Sequence, residues 1–150
     1  MRARGFTLLE MLTTLTVLLI LASAVVPMAK KGIRREKELE LRRDLREMRQ
    51  AIDAYKAAVE QLKIQAPPLE NNGYPASLDI LVEGAPVMNK STKMRFLRGI
   101  PVDPFVGKAE WGLRSLSDDP DATSWGGGSV FDVYSTAQGK GMNGIPYRDW

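Results

Sequence analysis

Three groups of residues in this 150-residue chain have types and spacings that could do chemistry. The first is Gly5-Phe6-Thr7-Leu8-Leu9-Glu10, in which a carboxylate stands at the entrance of an uncharged run, Met11 to Ala29. On insertion scales such an acid costs about 2.5 to 3.5 kcal/mol at the centre of a bilayer and less near the interface, so it needs a cation. A cut between Gly5 and Phe6 would supply one. The new α-amine at Phe6 would lie four residues, about one helical turn, from Glu10. Within one chain the helix dipole also favours the acid. Between chains packed side by side, Glu10 can instead meet a neighbour's amine at the same depth, and a desolvated pair of that kind penalises wrong axial register.

The second group, Asp118, Asp119 and Asp121, offers candidate ligands for calcium, a hard cation that takes six to eight oxygens from a flexible loop. Around Pro120 the same aspartates read as a solvated turn, where Asp is favoured for its local hydrogen bonds, and that is the preferred reading. The third, Gly139-Lys140-Gly141-Met142-Asn143-Gly144, satisfies G-x-G-x-x-G. A dinucleotide site needs a helix start directly after that pattern, and here Ile145-Pro146 follows, so these are turn glycines. With no histidine and no cysteine, the chain has no His-based triad, thiol nucleophile, zinc finger or disulfide framework. No catalytic residue is assigned and the chain is not read as an enzyme.

The elements that must position these groups fall into zones. Residues 6–29 form an apolar segment whose uncharged part, as a helix rising about 1.5 Å per residue, roughly matches a hydrocarbon core of about 30 Å. Inside it Pro27 removes one intrahelical hydrogen bond and is expected to bend the helix. Residues 30–65 continue as an amphipathic helix with eleven Lys/Arg against seven Asp/Glu. There Leu41, Leu45, Met48, Ile52, Tyr55, Val59 and Leu62 recur at steps of four and three, the spacing of one helical face. Glu38 with Arg42 and Glu40 with Arg43 fall at i,i+4 and i,i+3, pairs worth a few tenths of a kcal/mol each. The basic cluster Lys30, Lys31, Arg34, Arg35 and Lys37 suits lipid headgroups or acidic neighbours better than nucleic acid. Pro67-Pro68 is the expected stop.

Residues 66–150 hold eight basic and ten acidic residues and most of the Gly and Pro. Ser77 is the expected N-cap of a short helix, Leu78 to Val82, closed by Gly84. Trp111 to Arg114 and Phe131 to Tyr134 alternate as half-buried strands of a hairpin joined by the long connection Ser117 to Gly128. Two strands alone are marginal, so they should pack on the helix stripe. The expected class is α+β: a long N-terminal helix, transmembrane in its first half and amphipathic in its second, packed on a small C-terminal antiparallel sheet. Aromatic residues Phe96, Phe105, Trp111, Tyr134 and Trp150 read as core or rim.

A secretory signal peptide also fits the first thirty residues, with Arg2 and Arg4, the apolar run and Ala22-Ser23-Ala24 as the cleavage site of a secreted periplasmic module. Glu10 argues against it. Gly5-Phe6-Thr7-Leu8-Leu9-Glu10 resembles the leader of type IV pilins and type II secretion pseudopilins, and Pro27 matches that family's mid-helix proline. The resemblance implies that residues 1–5 are a leader, that prepilin peptidase cleaves after Gly5 and methylates Phe6, and that Glu10 serves assembly. Tyr74-Pro75, Leu78-Asp79-Ile80-Leu81-Val82, Ile100-Pro101-Val102-Asp103-Pro104-Phe105 and Phe131-Asp132-Val133-Tyr134-Ser135 resemble, in order and rough spacing, the major pseudopilins of type II secretion systems.

That resemblance implies a type IV pilin-like fold and a homo-oligomeric filament subunit of the secretion pseudopilus that drives protein export. Its partners would be the peptidase, an inner-membrane assembly platform, minor pseudopilins and, before assembly, membrane lipid. A type IV pilin or competence pseudopilin, for adhesion, motility or DNA uptake, is the alternative of the same architecture. The implied location is the bacterial inner membrane, single-pass, with residues 66–150 in the periplasm. The positive-inside count opposes this, since the basic cluster beyond the segment outnumbers Arg2 and Arg4; the leader pattern is followed. The family's calcium also enters only by resemblance: its carboxylates are not reproduced after Ser135, where Thr136-Ala137-Gln138-Gly139-Lys140 follows, and no cofactor is assigned.

Overall fold

The computed structural model describes residues 5–150. It has an α+β architecture: α1 (Leu8–Glu60), α2 (Asp79–Glu83), β1 (Ala85–Pro86), β2 (Lys93–Met94), β3 (Trp111–Arg114) and β4 (Asp132–Ser135). Short 3-10 turns lie at Leu69–Asn71 and Tyr147–Asp149. By contact density the chain divides into two units, residues 1–36 and 37–150.

In the first unit every described side chain is exposed. Its helical part is long and apolar enough to cross a membrane by length and composition. Residues 1–4, most of the expected leader, lie outside the described residues.

The second unit has its core where the stripe places it. Leu41, Leu45, Met48, Ile52 and Tyr55 are buried, and Ala51 and Ala58 join them, their small side chains allowing close approach. Leu81, Trp111, Val130 and Val133 close the core from the other side. The stripe ends early: Val59 is only partly buried and Leu62 is 69% exposed. The helix stops at Glu60 rather than near Gln65, and Pro67-Pro68 is not what stops it. Leu62 adopts a left-handed conformation (φ 54°), its amide donates to Val59 O and the Lys63 amide donates to Ala58 O. That pair of bonds is a Schellman motif, built here on leucine where glycine is usual.

The sheet is two separate antiparallel pairs, not one. The expected hairpin is β3 with β4, in register Trp111 to Ser135 and Arg114 to Asp132, one residue later on its second strand than the alternation suggests. The second pair, β1 with β2, has two residues per strand and carries no periodic signal. Ser77 does not cap α2: Leu78 already has helical angles and its carbonyl accepts the Leu81 amide, so the chain turns in with no side-chain cap. Gly84 does close α2, at φ 93°, and a Cβ there would lie 3.0 to 3.1 Å from Lys93 Cβ and the Met94 carbonyl, so glycine lets β2 lie close.

Charged residues of α1 are less solvated than their spacing implies. Arg43 does meet Glu40, at 3.8 Å. Arg42 lies over the Trp150 ring at 4.2 Å, while Glu38 accepts the Met142 amide and the Tyr147 hydroxyl instead of serving Arg42. The charged face of the helix is thus where residues 142–150 dock.

Candidate functional site

Residues 5–7 precede the helix in non-helical conformation, and Gly5 and Phe6 are exposed. Among the described residues, chain neighbours aside, nothing lies within 4 Å of a Cβ built on Gly5. The Gly5–Phe6 bond therefore lies in an open segment outside regular structure, as a bond to be cleaved requires.

Thr7 begins the helix. Its carbonyl accepts the Met11 amide at 3.1 Å and its hydroxyl accepts the Glu10 amide at 3.2 Å, which makes Thr7 the N-cap and Glu10 the third helical residue. Thr7-Leu8-Leu9-Glu10 is thus a Ser/Thr-x-x-Glu capping pattern, a signal present in the sequence and missed beside the charge argument. The acid lies in the first turn, where amide dipoles favour it. Among the described residues Glu10 has no ion-pair partner.

Past Glu10 the helix satisfies its hydroxyl side chains on its own backbone. Thr13 donates to the Leu9 and Glu10 carbonyls at 3.0 and 2.9 Å, Thr14 to Met11, Thr16 to Leu12 at 2.8 Å and Ser23 to Ile20 at 2.7 Å. Hydroxyls bonded back to the preceding turn leave little unmet polarity in lipid. The helix is continuous through Pro27, whose missing N–H leaves the Ser23 carbonyl without its usual donor.

The acidic loop is engaged differently. Asp118 accepts the Ser115 amide at 2.7 Å and the Gly126 amide at 3.1 Å, and these bonds hold its carboxyl below the usual carboxylate range. Asp119 and Asp121 are exposed. Among the described residues no group of three or more His, Cys, Asp or Glu is placed to hold a metal, so the three aspartates do not converge. The Gly139 to Gly144 stretch is a closed turn, with the Gly141 amide bonded to Ile145 O and the Gly144 amide to Gly141 O.

Residues 1–26 match the family model of the prokaryotic N-terminal methylation motif. The match covers the N-terminal stretch alone and supports a likeness to type IV pilins and pseudopilins at the level of the superfamily. The long helix whose second half packs on small antiparallel strands is that superfamily's α+β fold, and the motif supports processing by prepilin peptidase. No curated protein and no solved structure matches the chain.

Proposed function

We propose that this pilin-like chain is a structural subunit of a type II secretion pseudopilus. Prepilin peptidase cuts after Gly5, Phe6 becomes the methylated N-terminus, and the apolar helix stores the subunit in the inner membrane with residues 66–150 in the periplasm. An assembly platform then draws subunits into a filament, in which Glu10 of one copy pairs with the terminal amine of another and the helices exchange lipid for one another. The observation that carries this reading is Glu10 itself: an acid in the first turn of α1, ahead of the uncharged stretch Met11 to Ala29 whose described side chains are all exposed, with no ion-pair partner among the described residues. The ordered series from Tyr74-Pro75 to Phe131-Asp132-Val133-Tyr134-Ser135 supports a secretion pseudopilin over an adhesive or DNA-uptake pilin.

The test is the mass of the mature chain and the fate of Glu10→Ala. A mature chain that starts at methylated Phe6, with Glu10→Ala processed and inserted but unable to form filaments, is the expected result. A chain starting at Val25 would identify a secreted module, and normal filaments from Glu10→Ala would remove the register role. Gly5→Ala should leave the leader attached. A reporter fused after Trp150 should be active only in the periplasm.

A further inference from the structure

The resemblance to major pseudopilins implies calcium in the C-terminal loop, and the residues of this chain do not fit it. A hard divalent cation takes six to eight oxygens, several from carboxylates. Thr136, Ala137, Gln138 and Gly139 offer no carboxylate, and Lys140 brings a positive charge. The buried Asp103 nearby has both oxygens engaged: Oδ2 accepts the Ser135 hydroxyl at 2.5 Å, and Oδ1 accepts the Phe105 and Val106 amides at 2.8 and 3.2 Å. Asp118 is bound to two amides of its own loop.

We propose that two charged side chains of α1, Glu38 and Arg49, hold the C-terminal segment in place of a metal ion. They are eleven residues apart, about three helical turns, and so lie on nearly the same face. Glu38 is 5% exposed. Its Oε1 accepts the Met142 amide at 2.9 Å and the Tyr147 hydroxyl at 3.1 Å. Arg49 donates to Asp132 Oδ1 at 2.7 Å, to the Val133 carbonyl at 3.1 Å and to the Trp150 main-chain oxygen at 2.7 Å, tying β4 and the last residue to the helix.

Between these two points the segment is stacked. Lys37 lies 5.8 Å from the centre of the Phe105 ring, Phe105 stacks on Tyr147 at 4.4 Å, Tyr147 meets Trp150 edge-on at 5.0 Å, and Arg42 covers Trp150. An anion on the helix thus meets donors and a cation meets acceptors, which is the work a bridging ion does when a loop lacks such partners. The inference concerns how this domain is held and stands apart from the secretion reading, since it applies equally in any pilus.

The test uses the full chain in detergent micelles, followed by thermal melting and by hydrogen exchange over residues 139–150. The expected melting temperature is the same in EDTA as in excess calcium chloride, and isothermal titration shows no calcium binding. Glu38→Ala and Arg49→Met should each speed exchange of this segment by roughly tenfold or more, independently of metal. Glu38→Gln keeps an oxygen acceptor without the charge and should give a smaller acceleration, centred on the Met142 amide; this conservative variant gives the reading if Glu38→Ala does not fold. A rise in melting temperature with calcium would overturn the proposal, because a ligand of the native state must stabilise it. Unchanged exchange in all three variants would overturn it as well.

Discussion

Gly112→Ala is expected to destabilise the folded second unit through a residue on the opposite strand. Gly112 pairs across the hairpin with Tyr134, whose ring lies flat over the glycine: a Cβ built there would fall 2.2 Å from Cζ and 2.3 Å from Cε2. No such contact survives, so the ring must swing away. Tyr134 would then lose the bond from its hydroxyl to the Thr123 carbonyl, 3.0 Å, worth about 1 kcal/mol net. It would also leave the Arg114 guanidinium, 4.3 Å from the ring centre, a cation–π contact worth about 1 kcal/mol when partly desolvated. Re-exposing part of a ring that is now buried adds on the order of 1 to 2 kcal/mol.

The sum, roughly 3 to 4 kcal/mol, corresponds to a fall in melting temperature of about 6 to 15 °C for a chain of this size. Thermal melting of the full chain in detergent, followed by tryptophan fluorescence, measures it. The control is a double-mutant cycle: in a Tyr134→Ala background, with no ring to displace, Gly112→Ala should cost little. A shift below about 1 °C in the wild-type background, or the same shift in both backgrounds, would refute the reasoning, because the cost would then not come from the ring.

Other sites give independent outcomes. Burial of Asp44 raises its pKa from 3.8 against the weaker opposing effect of Arg43, so the folded chain holds the proton more readily than the unfolded one. Stability should fall as pH rises from 3.8 through the raised value and stay reduced above it; Asp44→Asn should abolish that slope and raise the melting temperature at neutral pH. Asp118 has the opposite sign: the Ser115 and Gly126 amides lower its pKa, so its contribution is present above 3.8 and is lost as pH falls through the lower folded value. Asp118→Asn should flatten that acid limb and speed hydrogen exchange at both amides. Leu62→Gly should raise the melting temperature by about 2 to 4 °C, since it relieves roughly 1 kcal/mol of left-handed strain at an exposed side chain.

How far these features could be read from the sequence depends on their range. Thr7 and Glu10 are three residues apart and their relation is local, so a capping pattern of this kind is legible in the sequence. The stripe from Leu41 to Tyr55 was legible because burial on a helix has a period. Alternation finds the hairpin but starts its second strand one residue early, because Asp132 rather than Phe131 begins the ladder. Glu38 and Arg114 were not legible: each is a buried charged residue whose partners lie far along the chain, Met142 for Glu38 and the Arg148 carbonyl for Arg114. The β1–β2 pair was equally invisible, since a two-residue strand containing Pro86 has no period and little propensity. Its formation rests on long-range bonds, including Gln65 to Pro86 O and Met88 to Lys63 O.

The contrast between the two units bears on what an acid at residue 10 would do in the proposed filament. In the second unit polar groups fix geometry by pairing inside the fold: Arg49 and Arg114 converge on Asp132, and Glu38 reaches the C-terminal segment. In the first unit Thr13, Thr14, Thr16 and Ser23 turn their hydroxyls back onto their own helix and present little polarity outward. Such a surface packs against lipid tails or against other helices with little difference in hydrophobic free energy, since both are apolar. Apolar packing alone is therefore a poor discriminator of axial register, because a helix displaced by one turn along its neighbour still buries similar side chains. A single unpaired charge does discriminate, since a shift of about 5.4 Å separates it from its counter-charge in a medium that screens little. In the proposed filament the span supplies adhesion and Glu10 supplies alignment, and neither residue type can take over the other's part.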